Sequence, residues 1–518
     1  MRRSLIELIH AMVMALFAGL FFVPSALAQF GSAPAPAPQA NPLPLTGRSA
    51  QGGGVAVTQA PVPSTTTSVN TLNAAVSVQG AYTGSVNSTP QMPFSGRLSL
   101  LDAIQRGTHY NLGAVGMTQA VLSARGQARV ARSALLPNAR ADIGDTEETL
   151  NLRSLGFNFN TTGFTLPSLV GPFNILDLRG RISQNIANFT SLNNYRAARE
   201  VVRAGQFAAQ DAQDVVVLAV AGAYLQVLAA QARLNSAQAQ LETAKVLDER
   251  TRKQLEFGKA AQIDVNRSHV EVLLSRQRLV TLQDDLAKQK INLARLTGLP
   301  PNPDYELASD VPYTSAPPLA LGDALQQAMS QRADLKAAET QVKAAERALR
   351  AARDERLPSA SVDADYGEIG APSTLRRTYT VAATLSVPIW NGGRTGGDIQ
   401  QAEAALGQRR AELADTRSQI ESEVRNAYLD LQAAASQVDV AQQNIELMGE
   451  TLGQSRQRFE AGVSENVEVV QSQESVAGAN LDYINSVFAH NLAKLSLARA
   501  LGNASDKLAQ FLDIQPHH

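Results

Sequence analysis

Side chains that could do covalent or metal chemistry are few in this sequence, and they are scattered. The six histidines are His10, His109, His269, His490, His517 and His518, and no two share the helical spacing of a metal pair. Cysteine is absent, which removes thiol nucleophiles, disulfides and lipid attachment through an N-terminal cysteine. No phosphate-cradling glycine loop or serine elbow occurs, and the acids stand singly on helix surfaces. These residues predict neither an enzyme nor a cofactor. Lys plus Arg total 46 against 47 for Asp plus Glu, so a nucleic-acid partner is not expected either.

The chemistry must therefore lie in architecture. Arg2 and Arg3, an uncharged stretch from Ala11 to Val23, and the small residues Ala26 and Ala28 read as a secretory signal over 1–28. Residues 29–94 are rich in Pro, Ala, Gly, Ser and Thr and read as a flexible or extended linker. No later stretch offers the roughly 20 uninterrupted apolar residues of a membrane-crossing helix. The mature chain is then soluble, or lies on a membrane, or crosses one as β-strands.

A duplication organises the rest. Leu98, Leu100, Asp102, Ala103 and Gln105 recur as Leu319, Leu321, Asp323, Ala324 and Gln326, and Leu136 with Pro137 recurs as Leu357 with Pro358. Further on, Ala223, Tyr224, Leu225, Gly258, Leu293 and Arg295 recur as Ala427, Tyr428, Leu429, Gly462, Leu497 and Arg499 at one constant offset. The first copy spans 95–318 and the second 319–505, followed by a tail at 506–518.

Each copy has the same parts. A helical stretch ends at the Leu-Pro pair, since Pro cannot continue a helix. Two alternating segments follow, at about 138–150 and 174–188 in the first copy and 358–368 and 377–390 in the second. Tyr379, Val381, Leu385, Val387 and Ile389 alternate with Thr378, Thr380, Thr384 and Ser386. Period two over about ten residues alone suits a half-buried soluble strand or a transmembrane one, and placement between long helices in an exported chain favours the transmembrane reading. Long helical hairpins come next, at about 190–298 and 394–502. Ile420, Val424, Ala427, Leu431, Ala434, Val438 and Ala441 keep a 4-3 spacing, as do Val216, Val220, Ala223, Val227, Ala230, Leu234 and Ala237. That is a coiled-coil seam with small core residues.

Four strands cannot close a barrel, and a lipid-exposed sheet edge has no partners for its backbone groups. If the strands cross a membrane, several chains must share one barrel, with a strand number that is a multiple of four.

The order of these parts, with the Leu-Pro junctions, the Ala-Tyr-Leu pairs and the glycine turns at Gly258 and Gly462, resembles the TolC family of outer-membrane efflux proteins. The likeness runs over about residues 95–505. It implies a mainly α fold with membrane β. Three chains would share a twelve-stranded β-barrel that continues into a long α-helical coiled-coil barrel. It further implies a passive exit duct of a tripartite efflux or type I secretion system, set in outer-membrane lipid with a long periplasmic extension. A periplasmic adaptor and an inner-membrane pump would be its partners. A non-transporting structural or adhesive coiled-coil protein of the envelope is the competing reading.

By the same resemblance, Glu468, Gln471 and Asp264 fall at the periplasmic gate, and Gly258, Lys259, Gly462 and Val463 fall at hairpin tips that meet the adaptor. Glu468 has a second reading, because an acid in a helix's first turn also offsets the helix dipole. Phe459 and Ser464 stand where the family's best-known member has an aromatic hydroxyl and an arginine that hold the acid matched by Asp264. Those two bonds are not expected here. The first copy also carries 18 more residues between its Leu-Pro pair and second strand, with Phe157, Phe159, Phe164 and Phe173 among them. The family's topology puts that loop outside the cell.

Overall fold

A computed structural model describes residues 54–61, 72–86, 92–154, 160–161, 164–165, 167–258, 260–302, 304–308, 311, 313–316, 318–461, 463–502, 504 and 511–512. The elements run β1 (Val55–Pro61), β2 (Leu72–Val78), β3 (Arg97–Leu98), α1 (Leu100–Tyr110), α2 (Leu112–Ser133), β4 (Asn138–Asn151), β5 (Asn160–Thr161), β6 (Phe164–Thr165), β7 (Leu169–Ala187), α3 (Phe189–Glu256) and α4 (Gln262–Thr297) in the first copy. The second copy gives β8 (Glu306–Leu307), α5 (Leu321–Gln331), α6 (Ala333–Asp354), β9 (Ser359–Gly370), β10 (Arg376–Ser386), α7 (Arg394–Glu460) and α8 (Asn466–Ala500). The proposed signal at 1–28 lies outside the described residues.

Two compact units cut across the duplication rather than between its copies. One takes Arg129–Tyr195 and Ala348–Gln400, hence the long strands of both copies. The other takes Leu43–Ala128, Arg196–Arg347 and Gln401–His518, within the described residues.

In the first unit, β10, β9, β7 and β4 lie side by side in that order, every neighbour antiparallel. Both β4 and β9 start directly after a Leu-Pro pair. Residues opposite one another share a face, so the register sorts the side chains. One face carries Ile143, Leu178, Ile182, Tyr366, Tyr379, Val381 and Leu385. Of these Ile143, Ile182, Tyr366, Tyr379, Val381 and Leu385 stand exposed, Ile143 by 82%. The other face carries Arg140, Asp142, Asp177, Arg179, Arg181, Asp363 and Asp365. An apolar face this exposed is built for a non-aqueous neighbour. β7 begins at Leu169 rather than near 174, because pairing with β4 resumes beyond a bulge at Glu148/Leu150. β10 stops at Ser386, short of 390, where Pro388 has no N–H to donate.

In the second unit the 4-3 seam is the buried stripe. Ile420, Val424, Ala434 and Val438 are fully covered, as are Val216, Val220, Val227 and Ala230. α3 counts 68 residues and α7 counts 67, each roughly 100 Å long at 1.5 Å per residue. Around Val216–Leu225, α3 is buried on all sides, and its most apolar stretch is core rather than a membrane span.

Residues 29–94 are not simply a linker. β1 and β2 form an antiparallel hairpin seated on the helices. Its Val76 fills the space left by Gly222 of α3, where an added Cβ would come within 2.7 Å of Val76. Gln59 Nε2 donates to the Ala489 carbonyl of α8 at 3.2 Å. Nor is 506–518 wholly a free tail, since Phe511 and Leu512 are buried in the helical core.

The helix joints show how one backbone solution carries two side-chain solutions. α1 and α2 meet at Asn111, and α5 and α6 at Arg332, both extended and both buried. Asn111 donates to the Tyr82 carbonyl at 2.8 Å and accepts from Gly113 N at 2.9 Å. Arg332 instead fans its guanidinium onto Asp334 and Glu423. Each joint is covered by a left-handed glycine, Gly298 against Tyr110 and Gly502 against Arg332.

The segment joining the copies is pinned by α8. Asn491 Nδ2 donates to the Val311 carbonyl at 3.2 Å, and Lys494 Nζ donates to Thr314, reaching its hydroxyl at 2.7 Å. His490 Nε2 meets the Thr314 carbonyl at 3.2 Å, and its ring tilts against Tyr313. Burial and then the Lys494 charge push the His490 pKa below its usual value, against weaker raising effects from Thr314 and Asp439. A depressed pKa means the unfolded chain binds the proton first, so stability present above about pH 6.5 is lost as pH falls through the folded value. His490→Gln, which keeps a donor toward Thr314, should flatten that acid-side loss, whose limiting slope is about 1.4 kcal/mol per pH unit. Unfolding midpoints between pH 7 and 4 measure it, and identical slopes in the two proteins would refute it.

Candidate functional site

The hairpin ends gather the residues singled out by sequence. α4 begins after a turn in which Gly258 adopts φ +68°, a left-handed conformation that L side chains rarely enter. Its first turn is closed by Asp264, whose Oδ2 accepts from Ala261 N at 3.2 Å. Arg267 lies 3.9 Å from the same carboxylate. Asp264 is therefore a helix-capping acid, and it also lies at the contact between copies. Its main-chain carbonyl accepts from Asn466 Nδ2, the first residue of α8, at 3.4 Å.

Glu468 sits in the first turn of α8, two residues past buried Asn466, and its carboxylate lies 3.3 Å from Arg458 Nε on α7. The side chain keeps 42% exposure, so it reaches solvent while its charge is partly offset within its own hairpin. Gln471 follows one helical turn later and is exposed. Val463 at the tip is exposed, as is Phe257 at the other tip, whereas Lys259 and Gly462 fall outside the described residues. Phe459 is half-buried, and the buried Ser464 hydroxyl has no hydrogen-bond partner among the described residues.

Other residues tie the hairpins. Arg250 of α3 pairs with Glu460 of α7 at 2.7 Å, joining the outgoing helices of the two copies near their ends. Within the first hairpin, Asp248 accepts from Ser268 at 3.1 Å and from Arg252 at 3.1 Å, with His269 at 3.5 Å. Burial alone would raise the Asp248 pKa, but the bonds from Arg252 and Ser268 outweigh it and hold the carboxyl below its usual range. The second hairpin has Ser455 and Ser472 in contact at 2.9 Å, with Ser472 the repeat of Ser268. Further along, Glu271 of α4 is raised above the usual carboxylate range by burial and then by Glu474 of α8. None of these cross-helix pairs has a short helical spacing. The Ser268/Ser472 repeat is the one sign of them in the sequence.

Chemically the ensemble offers carboxylates, amides and guanidiniums aimed at solvent and at one another. Among the described residues no group of three or more His, Asp or Glu is placed to hold a metal ion. The arrangement can attract, repel or latch.

Comparison with known proteins agrees with this fold. A family described as outer membrane efflux protein matches residues 116–299 and 324–503. The chain is 25% identical over 395 residues to the pyoverdine export outer membrane protein OpmQ of Pseudomonas aeruginosa, covering 74% of this chain and 80% of that one. It is 22% identical over 400 residues to the outer membrane protein TolC of Escherichia coli, covering 73% and 77%. Among solved structures, the outer membrane protein VceC of Vibrio cholerae superposes with a TM-score of 0.67 at 20% identity, over 78% of this chain and 96% of that one.

Proposed function

The chain belongs to the outer membrane efflux protein family, and from that membership we propose a homotrimeric exit duct gated at its periplasmic end by Glu468. It is an outer-membrane channel, the exit component of a tripartite efflux or type I secretion system. The trimer is supported by the four-stranded sheet. β4 and β10 end it with open edges, and its exposed face is apolar. Three copies close twelve strands with every edge paired, and β10 of one chain runs antiparallel to β4 of the next. The duct acts by conduction; energy comes from an inner-membrane pump joined through a periplasmic adaptor. Gly258, Lys259, Gly462 and Val463 at the hairpin tips are the adaptor contacts. The relative that exports pyoverdine favours small organic cargo over polypeptide.

For the gate, the reading rests on the placement of Glu468, half-exposed on the helix turn where the two copies touch. Gln471 extends the same polar strip, and Asp264 holds the neighbouring turn. Arg250–Glu460 and Asn466–Asp264 are the ties that keep the hairpins closed in place of the bonds that Phe459 and Ser464 do not make.

Detergent-extracted protein should run as a heat-modifiable trimer and conduct ions in a planar bilayer. In that channel Glu468→Ala removes an anion and leaves Arg458 without its partner. The reversal potential in a KCl gradient should move toward anions, by roughly a threefold drop in cation preference at ~0.1 M salt. Unaltered selectivity would assign Glu468 to helix capping alone. A protein that remains monomeric and forms no channel would remove the duct itself.

A further inference from the structure

The polar face of the sheet holds a second set of charges far from the gate in sequence. Arg140 meets Asp142 at 3.2 Å, and Asp142 accepts from Arg181 at 2.8 Å. Arg181 also reaches Asp177 at 3.3 Å. Asp177 is held bidentately by Arg179, at 2.6 and 2.5 Å, and Arg179 extends a second nitrogen to Asp365 at 3.2 Å. The result is one unbroken line of alternating charge across β4, β7 and β9. It contains three arginines and three aspartates. Its last link joins the first copy to the second, and it is made by a guanidinium shared between two carboxylates.

The opposite face is the exposed apolar one, so this line lies on the side turned away from lipid. In a closed barrel that side is the lumen. Arg179, Asp177 and Asp365 keep about a fifth of their side-chain surface open, in contact with whatever fills the lumen. Alternation matters for conduction. Matched neighbours cancel beyond a few ångströms, whereas a wall of one sign would favour one ion sign throughout the barrel.

We propose that this belt, with Arg179 as its keystone, sets the charge selectivity of the membrane segment independently of the periplasmic gate, holding it near neutral so that solutes of either sign pass. The inference rests on the channel reading. It assigns Arg179, Asp177 and Asp365 as specificity-determining residues for the transport.

The test is the reversal potential of purified protein in a planar bilayer under a KCl gradient near 0.1 M, where the Debye length is about 10 Å. Arg179→Gln removes one cation per chain, takes Arg179 from Asp365 and leaves Asp177 to Arg181 alone, and should raise the potassium-over-chloride preference roughly threefold. Asp365→Asn removes one carboxylate and should shift the potential the opposite way. Arg179→Lys should stay near the parent value. A role limited to pinning strand register would alter heat-modifiability but not selectivity. If Arg179→Gln fails to assemble, Asp365→Asn and Arg179→Lys carry the test. Assembled, conducting Asp365→Asn channels with the parent reversal potential would overturn the proposal, as would Arg179→Gln channels with no shift. Failure of the parent protein to conduct at all would instead strike the channel reading.

Discussion

Arg332→Met should destabilise the detergent-extracted protein by on the order of 3 kcal/mol per chain, seen as an earlier loss of helical ellipticity in guanidinium. Arg332 is 2% exposed and its guanidinium is fully engaged. Nε and Nη2 fork onto Asp334 at 3.0 and 2.6 Å, and Nη1 reaches Glu423 of α7 at 2.5 Å. Methionine fills the volume but leaves the Asp334 side chain, only 25% exposed, near the like charge of part-buried Asp211, with Arg499 as the remaining cation acting on it among the described residues. An uncompensated buried charge costs more than the pair itself ever contributed. Arg332→Met combined with Asp334→Leu and Glu423→Leu should therefore recover much of the loss. No recovery would place the cost in packing at the α5–α6 joint.

The same site has a pH signature. Burial would raise the Asp334 pKa, but the bonds and charge of Arg332 outweigh it and lower the carboxyl below its usual value. A depressed carboxylate contributes stability that is present above the unfolded pKa near 4 and lost as pH falls through the folded one. With Arg332→Met the acid-side loss should shrink, because the carboxylate no longer gains from folding while ionised.

Much of the architecture is legible because its signals are periodic. The 4-3 seams of Ile420–Ala441 and Val216–Ala237 need no knowledge of a partner, and the structure buries them. Alternation over Tyr379–Leu385 likewise gives the exposed apolar face directly. The β1–β2 hairpin escapes this kind of reading. Val55 and Val57 alternate over too few residues, amid Pro, Ser and Thr, and the strands are held by Gly222 and Ala489, the latter 430 positions from Gln59. The ion pairs across helices and strands escape it as well. Arg458 and Glu468 meet across a turn of unequal arms, Arg250 and Glu460 across the two copies, and Arg179 and Asp365 only once strand register is known. Type and period are local properties. Pairing across helices and strands is not.

Register makes the second large effect specific. Gly367→Ala should all but abolish the heat-modifiable oligomer in outer membranes while the helical hairpins still fold. Gly367 of β9 lies opposite Arg179 of β7, at the seam between the copies. A Cβ there would sit 2.0 Å from the Leu178 carbonyl oxygen and 2.6 Å from the Arg179 Cα. Both are backbone atoms of the paired strand, so no rotamer change relieves the overlap. The strands must part or slip, at a cost above about 4 kcal/mol. Parting exposes hydrogen-bonding groups where lipid offers none, and slipping by one residue turns Tyr366 inward and Asp365 toward lipid. Either outcome also breaks the Arg179–Asp365 pair. Gly180→Ala is the control, because Gly180 faces Tyr366 on the same two strands and its Cβ would meet nothing closer than 3.8 Å. That variant should assemble normally. Equal assembly of the two variants would mean that the seam can open at Gly367 without losing its register, and that the ion pair rather than the backbone sets the alignment of the two copies.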